Sequence, residues 1–508
     1  MANHAEIERK YEVDADAAVP DLAAAPGVAG TEALAPVELT AVYFDTPNRA
    51  LVHGRIALRR RTGGYDDGWH VKLPAPEGRL ELQAAIDHDS PDVVPEAILD
   101  AVRSRVRGAA LEPIATLRTT RRPVLLNDAT GTARVEVVDD AVRATDHRTG
   151  TLRAWREWEA EQVGDDPVAS ARMLDALEPV LLAAGARPSP SASKLAQALG
   201  GLELGPAEPR PQPQSEPTAD EVLRGLLVGL VERLHRDELT LREGGPEPVH
   251  RMRKTVRRIR ALLRLTDVTG EPGERVRQDL RRTGEVLAEA RDAAASAATA
   301  SRLLDELESG GTTVPGLVDA RRRLVDDANA WAEEARGRAL AAFGTPAHFR
   351  VLDELERLVD EPLQGPRAQL RAADVLPDLA RRAGRRAARR VAGVDQRDLT
   401  TLHRLRKAAR RARYVVEALD EAAALERAPR LLRLARRAER LQDVLGAHRD
   451  LGVLAADLPF AAVRATADGE NAYVHGVLAE RAARQQARLL QRAERAARRL
   501  EDAAARLR

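Results

Sequence analysis

Charged and apolar side chains alternate along several short segments of residues 1–200. The first segment, 6–10, reads Glu-Ile-Glu-Arg-Lys. Further runs that predict strands lie at 39–44, 55–61, 69–73, 79–86, 124–126, 133–138 and 155–163. Because successive side chains of a strand point to opposite faces, a period of two predicts β-strands. Turn segments rich in Gly and Asp, such as 63–68, favour an antiparallel sheet or barrel with helical insertions near 92–107 and 167–185.

The pattern changes after residue 203. Residues 204–217 are rich in Pro, Gly, Glu and Gln, which predicts an extended linker. Thr218 and Glu221 then have the spacing of a capping box, and helical periodicity follows to the C-terminus. We therefore expect an α+β multidomain protein, with one domain at 1–203 and an all-α domain at 218–508.

The helical region contains a repeat. Residues 250–260 read His-Arg-Met-Arg-Lys-Thr-Val-Arg-Arg-Ile-Arg, and 403–413 read His-Arg-Leu-Arg-Lys-Ala-Ala-Arg-Arg-Ala-Arg, 153 positions later. The segment 287–292, which ends in Arg-Asp, is echoed at 445–450. Two matches in the same order at nearly the same offset indicate a duplicated helical unit.

Net charge divides between the two regions. Residues 1–200 carry 31 acidic and 23 basic residues and the rest carry 48 and 57, so balances of −8 and +9 combine into the net charge of +1. This division fits a metal-dependent site in the first domain and a polyanion surface in the second. The chain has no cysteine, which excludes disulfides, zinc–thiolate sites and thiol nucleophiles. Without a long apolar stretch or a signal peptide, we expect a soluble cytoplasmic protein.

One face is charged in most of the predicted strands. The residues that share such faces are Glu6, Glu8 and Lys10; Arg59 and Arg61; His70 and Lys72; Arg79, Glu81 and Gln83; Arg134 and Glu136; and Glu157, Glu159 and Glu161. Each face could simply be solvated, but so many would leave little apolar surface to turn inwards. A closed barrel with a charged interior resolves this conflict. Arginines there would bind phosphates, and glutamate pairs would hold Mg²⁺ or Mn²⁺. The sequence has no phosphate-binding Gly-x-x-x-x-Gly-Lys-Ser/Thr loop.

The repeated helices each present a basic face. At 100° per residue, Arg253, Arg257 and Arg260 follow His250 on one side, opposite an apolar stripe. The second copy repeats this arrangement with His403, Arg406, Arg410 and Arg413. A solvated basic helix is the alternative, and a zinc site on the two histidines has little support. Together the faces would form a positive groove for a long linear polyanion. Because aromatic residues are not interleaved, we expect no sequence-specific nucleic-acid binding.

These segments resemble known families. The motif at 6–10 matches the Glu-x-Glu-x-Lys signature of the CYTH superfamily, the triphosphate tunnel metalloenzymes. The likeness continues through 43–47, 56–61, 69–74, 157–161 and 193–195. The helical region resembles a CHAD domain, a duplicated helical bundle that binds polyphosphate, through the two His-led repeats and the paired Arg-Asp segments. The resemblance implies an eight-stranded antiparallel barrel forming a tunnel, in a superfamily that includes inorganic, thiamine and RNA triphosphatases and class IV adenylate cyclases.

The resemblance, read together with strand parity, implies the site residues. Catalytic residues would be Glu6, Glu8 and Lys10. The metal ligands would be Glu6, Glu8, Glu136, Asp139, Glu157, Glu159 and Glu161. The triphosphate would be bound by Lys10, Arg59, Arg61, Lys72, Arg118, Arg121, Arg134 and Lys194, although which arginine of 118–122 points inwards stays open. Polyphosphate would be bound by His250, Arg253, Lys254, Arg257, Arg260, Arg291, His403, Arg406, Lys407, Arg410, Arg413 and Arg449.

The expected function is Mg²⁺-dependent hydrolysis of inorganic triphosphate, with Mn²⁺ as an alternative ion, coupled to binding of long-chain polyphosphate. The location would be the cytoplasm, with polyphosphate granules as a candidate site of association. One alternative is a non-catalytic polyphosphate-binding or granule-targeting protein. Another is a nucleotide triphosphatase or cyclase, although no base-binding residues stand out. The sequence predicts no membrane contact and leaves the oligomeric state open.

Overall fold

The computed structural model describes residues 4–5, 7–74, 79–164, 166–191, 193–200, 216–309, 314–391, 399–422 and 428–507. The chain divides into two compact units, Met1–Gln212 and Pro213–Arg508. Glu6 and all of the predicted linker except 216–217 lie outside the described residues. None of the helices described is long and apolar enough to cross a membrane.

The first unit is an antiparallel sheet with a few helices. Its strands are β1 (His4–Ala5), β2 (Glu8–Val13), β3 (Gly30–Ala33), β4 (Val37–Asp45), β5 (Ala57–Thr62), β6 (Gly68–Pro74), β7 (Arg79–Ala84), β8 (Glu112–Asn127), β9 (Ala133–Asp146), β10 (Leu152–Gln162) and β11 (Arg187–Pro188). Its helices are α1 (Ala50–His53), α2 (Glu96–Val106), α3 (Pro167–Ala183) and α4 (Lys194–Ala198). The two predicted helical insertions correspond to α2 and α3.

The sheet has eleven strands in the order β1-β7-β6-β5-β4-β8-β9-β10-β2-β11, with β3 paired to β8. Pairing among the described residues does not close it into a ring, and it has more than the expected eight strands, so it fits the predicted barrel only loosely. Two short strands near the N-terminus reach both sides of this sheet, since β1 pairs with β7 and β2 with β10. The expectation of a predominantly antiparallel α+β fold is confirmed.

Apolar residues on the outer face of the sheet pack against helices. Tyr11 of β2, Val137 of β9 and Trp158 of β10 are buried with Leu177 of α3 in one cluster. Each of these strand residues alternates with a charged residue on the other face, as a period of two requires. Burial of the large apolar side chains therefore fixes the register that turns the charged faces inwards.

The second unit is all helical. Its helices are α5 (Ala219–Thr240), α6 (Pro246–Leu262), α7 (Thr266–Val286), α8 (Ala288–Glu308), α9 (Leu317–Arg321), α10 (Asp327–Phe343), α11 (Pro346–Asp360), α12 (Ala372–Val391), α13 (Leu399–Glu421), α14 (Pro429–Ala467) and α15 (Tyr473–Ala505). The predicted capping box is present at the start of α5. The Thr218 hydroxyl accepts from the Glu221 N–H at 3.2 Å, and the Glu221 carboxylate accepts from the Thr218 N–H at 2.8 Å.

The duplication is visible in the packing. The His-led repeats are α6 and α13, and the chain entering α5 pairs with the chain entering α12 through an antiparallel bridge between Thr218 and Arg371. These two residues are also 153 positions apart. The repeated Arg-Asp pairs contact each other reciprocally, because Arg291 binds Asp450 at 3.2 Å and Arg449 binds Asp292 at 3.0 Å. The two halves therefore contact each other through equivalent residues.

Candidate functional site

The inward faces of the sheet surround a cavity of about 560 Å³, which we call the charged cavity. Its ionisable lining residues are Glu8, Lys10, Tyr43, Arg59, Arg61, Asp66, Lys72, Arg79, Glu81, Arg121, Glu136, Glu159, Glu161 and Lys194. Most come from the alternating positions at which the sequence predicts a charged face. The carboxylates lie chiefly on β2, β9 and β10, and the cations lie chiefly on β5, β6 and β7.

Lys194, at the start of α4, neutralises a buried acidic group. Its ammonium lies 3.1 Å from Asp140, 2.5 Å from Glu157 and 2.7 Å from Glu159. Burial opposes the charged form of Lys194, but the three carboxylates, led by Glu159, raise its pKa. Arg121 also binds Asp140 at 2.7 Å and Glu159 at 3.2 Å. Although these carboxylates lie close enough to share a metal ion, two cations already balance most of their charge.

Lys10 connects this acidic group to the neighbouring strand. Its ammonium lies 3.0 Å from Glu159 and 3.3 Å from Glu8. Burial disfavours the ammonium, yet Glu159 and Glu8 raise its pKa. Burial would in turn raise the pKa of Glu159, but Lys10, Lys194 and Arg121 hold it well below the usual range. Lys10 and Glu159 are therefore both charged at neutral pH.

Three carboxylates form a second acidic cluster, side by side on three adjacent strands. Glu161 of β10 pairs in register with Glu136 of β9 on one side and with Glu8 of β2 on the other. Facing side chains on adjacent strands lie about 4.5–5.5 Å apart at Cβ. Burial raises the pKa of Glu136, and burial together with Glu8 raises the pKa of Glu161. Among the described residues neither Glu136 nor Glu161 has a direct ion-pair partner. Glu136 and Glu161 have little compensation, whereas Glu8 is also paired with Lys10 at 3.3 Å, and carboxylates of this kind can supply ligands to a hard divalent cation such as Mg²⁺.

The opposite wall of the charged cavity is basic. Glu81 of β7 lies 3.7 Å from both Arg59 and Lys72, and 2.8 Å from His70. Arg61 binds Asp66 in the turn before β6. Burial, Arg59 and Arg121 lower the pKa of Arg61 to about 9, which shows how closely the cations crowd. Arg79 adds a further cation to this wall.

Four of the predicted residues that the structure describes do not line the charged cavity, and one of them, Glu157, binds the lining residue Lys194. Arg118 is exposed on the face of β8 opposite to Arg121, so Arg121 is the inward arginine of this strand. Asp139 points to the outer face of β9, where Arg156 binds it at 2.7 and 2.9 Å, and Asp140 takes the inward position. Arg134 forms a 2.7 Å ion pair with Asp128 at the end of β9. Strand parity and this local ion pair account for the corrections.

The sequence prediction also missed four ionisable lining residues, Tyr43, Asp66, Arg79 and Glu81, and it missed Asp140, which binds the lining residue Lys194. Asp140 continues the period of two from Glu136, so its parity was available as a signal. Arg79 and Glu81 lie on a charged face that the pattern shows, but no motif selects them. Tyr43 gives no signal of its own, because its role comes from Arg59, which lies 3.5 Å from the hydroxyl. Burial opposes ionisation of Tyr43, but Arg59 lowers its pKa.

The second unit contains a larger cavity of about 1020 Å³, which we call the basic groove. The predicted residues that line it are Arg253, Arg257, Arg260, His403, Arg406, Lys407, Arg410 and Arg449. Arg264, Arg277, Arg281, Arg282 and Arg411 line it as well and were not predicted. Arg264 extends the helical series of α6 by one turn, so periodicity could have found it. The arginines of α7 lie outside the repeat and needed the packing.

Cations crowd this groove with few counter-charges. Burial and Arg257 lower the pKa of Arg253 to about 9 and that of Arg410 to about 9. Burial, Arg291 and Arg257 lower the pKa of Arg406 to about 10. The Nε atoms of Arg253 and Arg406, which are 153 positions apart, are buried without a hydrogen-bond partner among the described residues. The groove therefore carries donors and charge that an anion can satisfy.

Four predicted residues do not line the basic groove. Arg413 turns to Glu417 on its own helix and to Glu439 at 2.7 Å. Arg291 is held by Asp292 at 2.8 Å and by Asp450. His250 and Lys254 have exposed side chains outside the lining. For His403, burial and then Lys407 lower the pKa, so it enters the groove as a neutral hydrogen-bonding group.

The fold and the two cavities define a class of protein in which a tunnel-type sheet domain with acidic and basic walls is joined to an arginine-lined helical domain. Comparison with known proteins gives the family. Residues 4–178 match the CYTH domain and residues 225–459 match the CHAD domain. The chain belongs to the family of proteins that carry a CYTH domain followed by a CHAD domain. CYTH tunnel enzymes depend on a metal ion, and the family includes triphosphatases and cyclases.

An uncharacterised protein of Mycobacterium tuberculosis (strain ATCC 25618 / H37Rv) is 35% identical over 525 aligned residues, covering 99% of this chain and 97% of that protein. Among solved structures, the CHAD domain from the plant Ricinus communis is 23% identical with a TM-score of 0.43, covering 56% of this chain and 92% of that domain. A Hippeastrum protein described as having a dominant triphosphatase activity is 20% identical with a TM-score of 0.24, covering 39% of this chain and 98% of that one.

Proposed function

We propose that the charged cavity hydrolyses inorganic triphosphate in the presence of Mg²⁺ or Mn²⁺. The observation that supports this proposal is the division of one cavity into an acidic wall and a basic wall. Cleavage of a phosphoanhydride needs both, because a divalent cation and fixed positive groups together balance the charge of the phosphates. An ordinary solvated surface would not be expected to place an acidic wall opposite a basic wall in one cavity.

Each wall has a separate task in this proposal. Arg59, Arg61 and Lys72 bind the phosphate oxygens, and Arg121 supports them from β8. The row of Glu8, Glu161 and Glu136 holds the cation. When bound there, Mg²⁺ supplies charge stabilisation and lowers the pKa of a bound water.

The lysines act at the boundary between the walls. Lys10 and Lys194 keep their positive charge because carboxylates surround them. Each can therefore hold a phosphate oxygen while the neighbouring Glu159, whose pKa Lys10 and Lys194 lower against the effect of burial, remains ionised. They also separate the acidic group around Asp140 from the bound anion, which limits repulsion between carboxylates and phosphates.

The lining favours an inorganic substrate. Within the described part of the chain, Tyr43 is the one aromatic residue that lines the charged cavity, and its hydroxyl faces Arg59. Among these described residues, no second aromatic side chain offers a face on which a base could stack.

The test is release of phosphate from tripolyphosphate, ATP and long-chain polyphosphate by the full chain with Mg²⁺. We expect tripolyphosphate to be the preferred substrate. Formation of a cyclic nucleotide from ATP would assign the cavity to cyclisation. Binding of tripolyphosphate without turnover in Mg²⁺ or Mn²⁺ would make the domain a binding module.

We further propose that the basic groove binds long-chain polyphosphate. Its support is the number of arginines that face one another with few counter-charges, together with their repetition on α6 and α13. A linear polyanion matches a row of guanidinium groups better than a compact anion does, because it contacts many of them at once.

Metal binding should strengthen as pH rises. The cation needs Glu136 and Glu161 in their ionised forms, and both have raised pKa values. Protons therefore still compete with the cation at pH values above about 4.3, the ordinary pKa of a glutamate. We expect the affinity for Mn²⁺, measured by titration calorimetry, to increase from pH 5 to pH 7.5. In Glu161→Gln this increase should be smaller, since one titrating ligand is removed. An affinity independent of pH in wild type would argue against the carboxylate row as the metal site.

The two units should work separately. Each has its own apolar core, with Trp158 in one and Leu441 in the other as examples. We expect a fragment 1–203 to hydrolyse tripolyphosphate, and a fragment 218–508 to bind polyphosphate, each within about threefold of the intact chain. Phosphate release and polyphosphate binding measure the two activities, and circular dichroism establishes folding. Folded fragments without either activity would show that the sites need both units.

A further inference from the structure

The second unit has another cavity beside the basic groove. It has a volume of about 640 Å³ and lies between α12, α13 and the end of α6. We call it the α12–α13 pocket. Its basic lining residues are Arg264, Arg382, Arg386, Arg389, Arg390, Arg404 and Arg411. Its apolar lining residues are Ala261, Leu265, Leu379, Ala383, Ala387, Leu405, Ala408 and Val415.

The rim of this pocket has a large excess of positive charge. Asp267 is the one acidic residue among its described lining, and it is already bound to Arg382 at 3.4 Å and to Arg367 at 3.7 Å. The arginines at 386, 390 and 404 have no ion-pair partner among the described residues. Burial and Arg411 lower the pKa of Arg264, which shows that these cations repel each other. An anion is the ligand that such a rim attracts.

The apolar floor of this pocket distinguishes it chemically from the basic groove. Ala383 on α12 and Ala408 on α13 are partly exposed there, whereas Ala387 and Leu405 are buried beneath the lining. Because an alanine side chain ends at Cβ, Ala383 and Ala408 leave a flat apolar surface, which we call the alanine strip. Polyphosphate has no apolar part that could cover such a strip. The ligand therefore needs a planar apolar part as well as several negative charges.

We propose that the α12–α13 pocket binds a nucleoside triphosphate, with the base on the alanine strip and the phosphates held by the arginine rim. Guanidinium groups suit both parts, since they bind phosphate oxygens in pairs and stack on the faces of bases. Among the lining residues that the structure describes there is no side-chain amide and no carboxylate other than Asp267, so the pocket does not discriminate strongly between bases.

The pocket is coupled to the basic groove. Arg264 and Arg411 line both cavities. A nucleotide that engages these two arginines removes them from the groove and adds negative charge at its end. ATP therefore weakens polyphosphate binding, and polyphosphate weakens ATP binding by the same factor. This part of the inference rests on the proposed polyphosphate function, whereas binding of ATP in the pocket does not.

The test uses the full chain in EDTA and 8-azido-ATP, whose photoreactive group is on the base. After illumination, the labelled peptides are identified by mass spectrometry. We expect labelling within 372–422, and we expect excess ATP to suppress it far better than the same concentration of tripolyphosphate. Ala383→Leu, which fills the alanine strip, should reduce this labelling about tenfold. Arg386→Glu should reduce it as well, and Arg499→Glu, an exposed charge reversal on α15, serves as the control.

Two results would overturn the proposal. One is labelling confined to residues 1–200, which would place the nucleotide in the charged cavity. The other is labelling within 372–422 that tripolyphosphate suppresses as well as ATP does and that Ala383→Leu leaves unchanged, which would make the pocket a plain anion site. A separate binding assay with long-chain polyphosphate reports on the basic groove. If polyphosphate fails to bind while labelling persists, the groove proposal fails and the pocket proposal stands.

Discussion

Replacing Glu161 with Gln should reduce hydrolysis of tripolyphosphate about 100-fold or more while leaving the fold as stable as before, or more stable. Glu161 is the central carboxylate of the row, in register with Glu136 and Glu8. Its loss removes one charge from the cation site, and loss of one electrostatic group in a preorganised site costs about 10²–10³ in rate. Its raised pKa shows that the folded protein disfavours the ionised form. A neutral amide of the same shape removes that cost.

The sign of the stability effect follows from this pKa. A carboxylate with a raised pKa in the folded state favours folding below its unfolded pKa, and this contribution is lost as pH rises through the folded value. At pH 7.5 the wild-type chain therefore carries the cost, and Glu161→Gln does not. Thermal unfolding at pH 7.5 and phosphate release with Mg²⁺ measure the two effects. Glu32→Gln, an exposed position on β3, is the matched control. Wild-type turnover by Glu161→Gln would exclude the row as the metal site.

Charge reversal in the basic groove should weaken polyphosphate binding strongly with little effect on folding. Arg257 and Arg410 line the groove from the two repeated helices. Each guanidinium contributes charge-assisted hydrogen bonds to phosphate, worth about 1.5–3 kcal/mol, so Arg257→Glu or Arg410→Glu should cost about 10- to 100-fold in affinity. If one polyanion spans both helices, either substitution alone should produce this loss. The slope of affinity against salt should also decrease, by analogy with counterion release on nucleic acids.

Fluorescence anisotropy with labelled long-chain polyphosphate at several salt concentrations measures both quantities. Arg413→Glu separates the groove from the helix, because Arg413 belongs to the same repeat but binds Glu417 and Glu439 outside the groove. Its effect on affinity should be smaller than that of Arg410→Glu. Duplex DNA and RNA serve as competitors. Equal competition by nucleic acid at matched phosphate concentration would show that the groove binds polyanions in general.

Most of the architecture could be predicted from local patterns. The period of two in the strands and the capping box at Thr218 report on the backbone conformation directly, and the structure has both. The number of strands could not be predicted, because short pairings such as β3 with β8 depend on partners far away in the chain. The long strand β8 was recognised only at 124–126, since its other part carries Arg118, Thr119 and Thr120 without a clear apolar alternation.

The site residues, like the fold, could be predicted only in part. Lys10, Glu8 and Glu159 were found because their motif and their parity agree. Asp139 was misplaced, and the inward arginine of 118–122 was left open, because a shift of one residue exchanges the faces of a strand, and parity within an isolated run does not say which face is buried. Burial of Val137 and Trp158 against α3 makes that choice.

By itself, the sequence determined two domains, the strand and helix periods, the duplication and the types of charged group available, because these depend on residues close together in the chain or on repetition. The tertiary structure decided which groups meet. Lys194 lies far along the chain from Glu159, yet its ammonium is 2.7 Å from that carboxylate. Arg413 binds Glu439 and does not line the basic groove, although Arg410 of the same helix does. Electrostatic interactions act over a few ångströms in space, and only the packing of distant segments sets those distances.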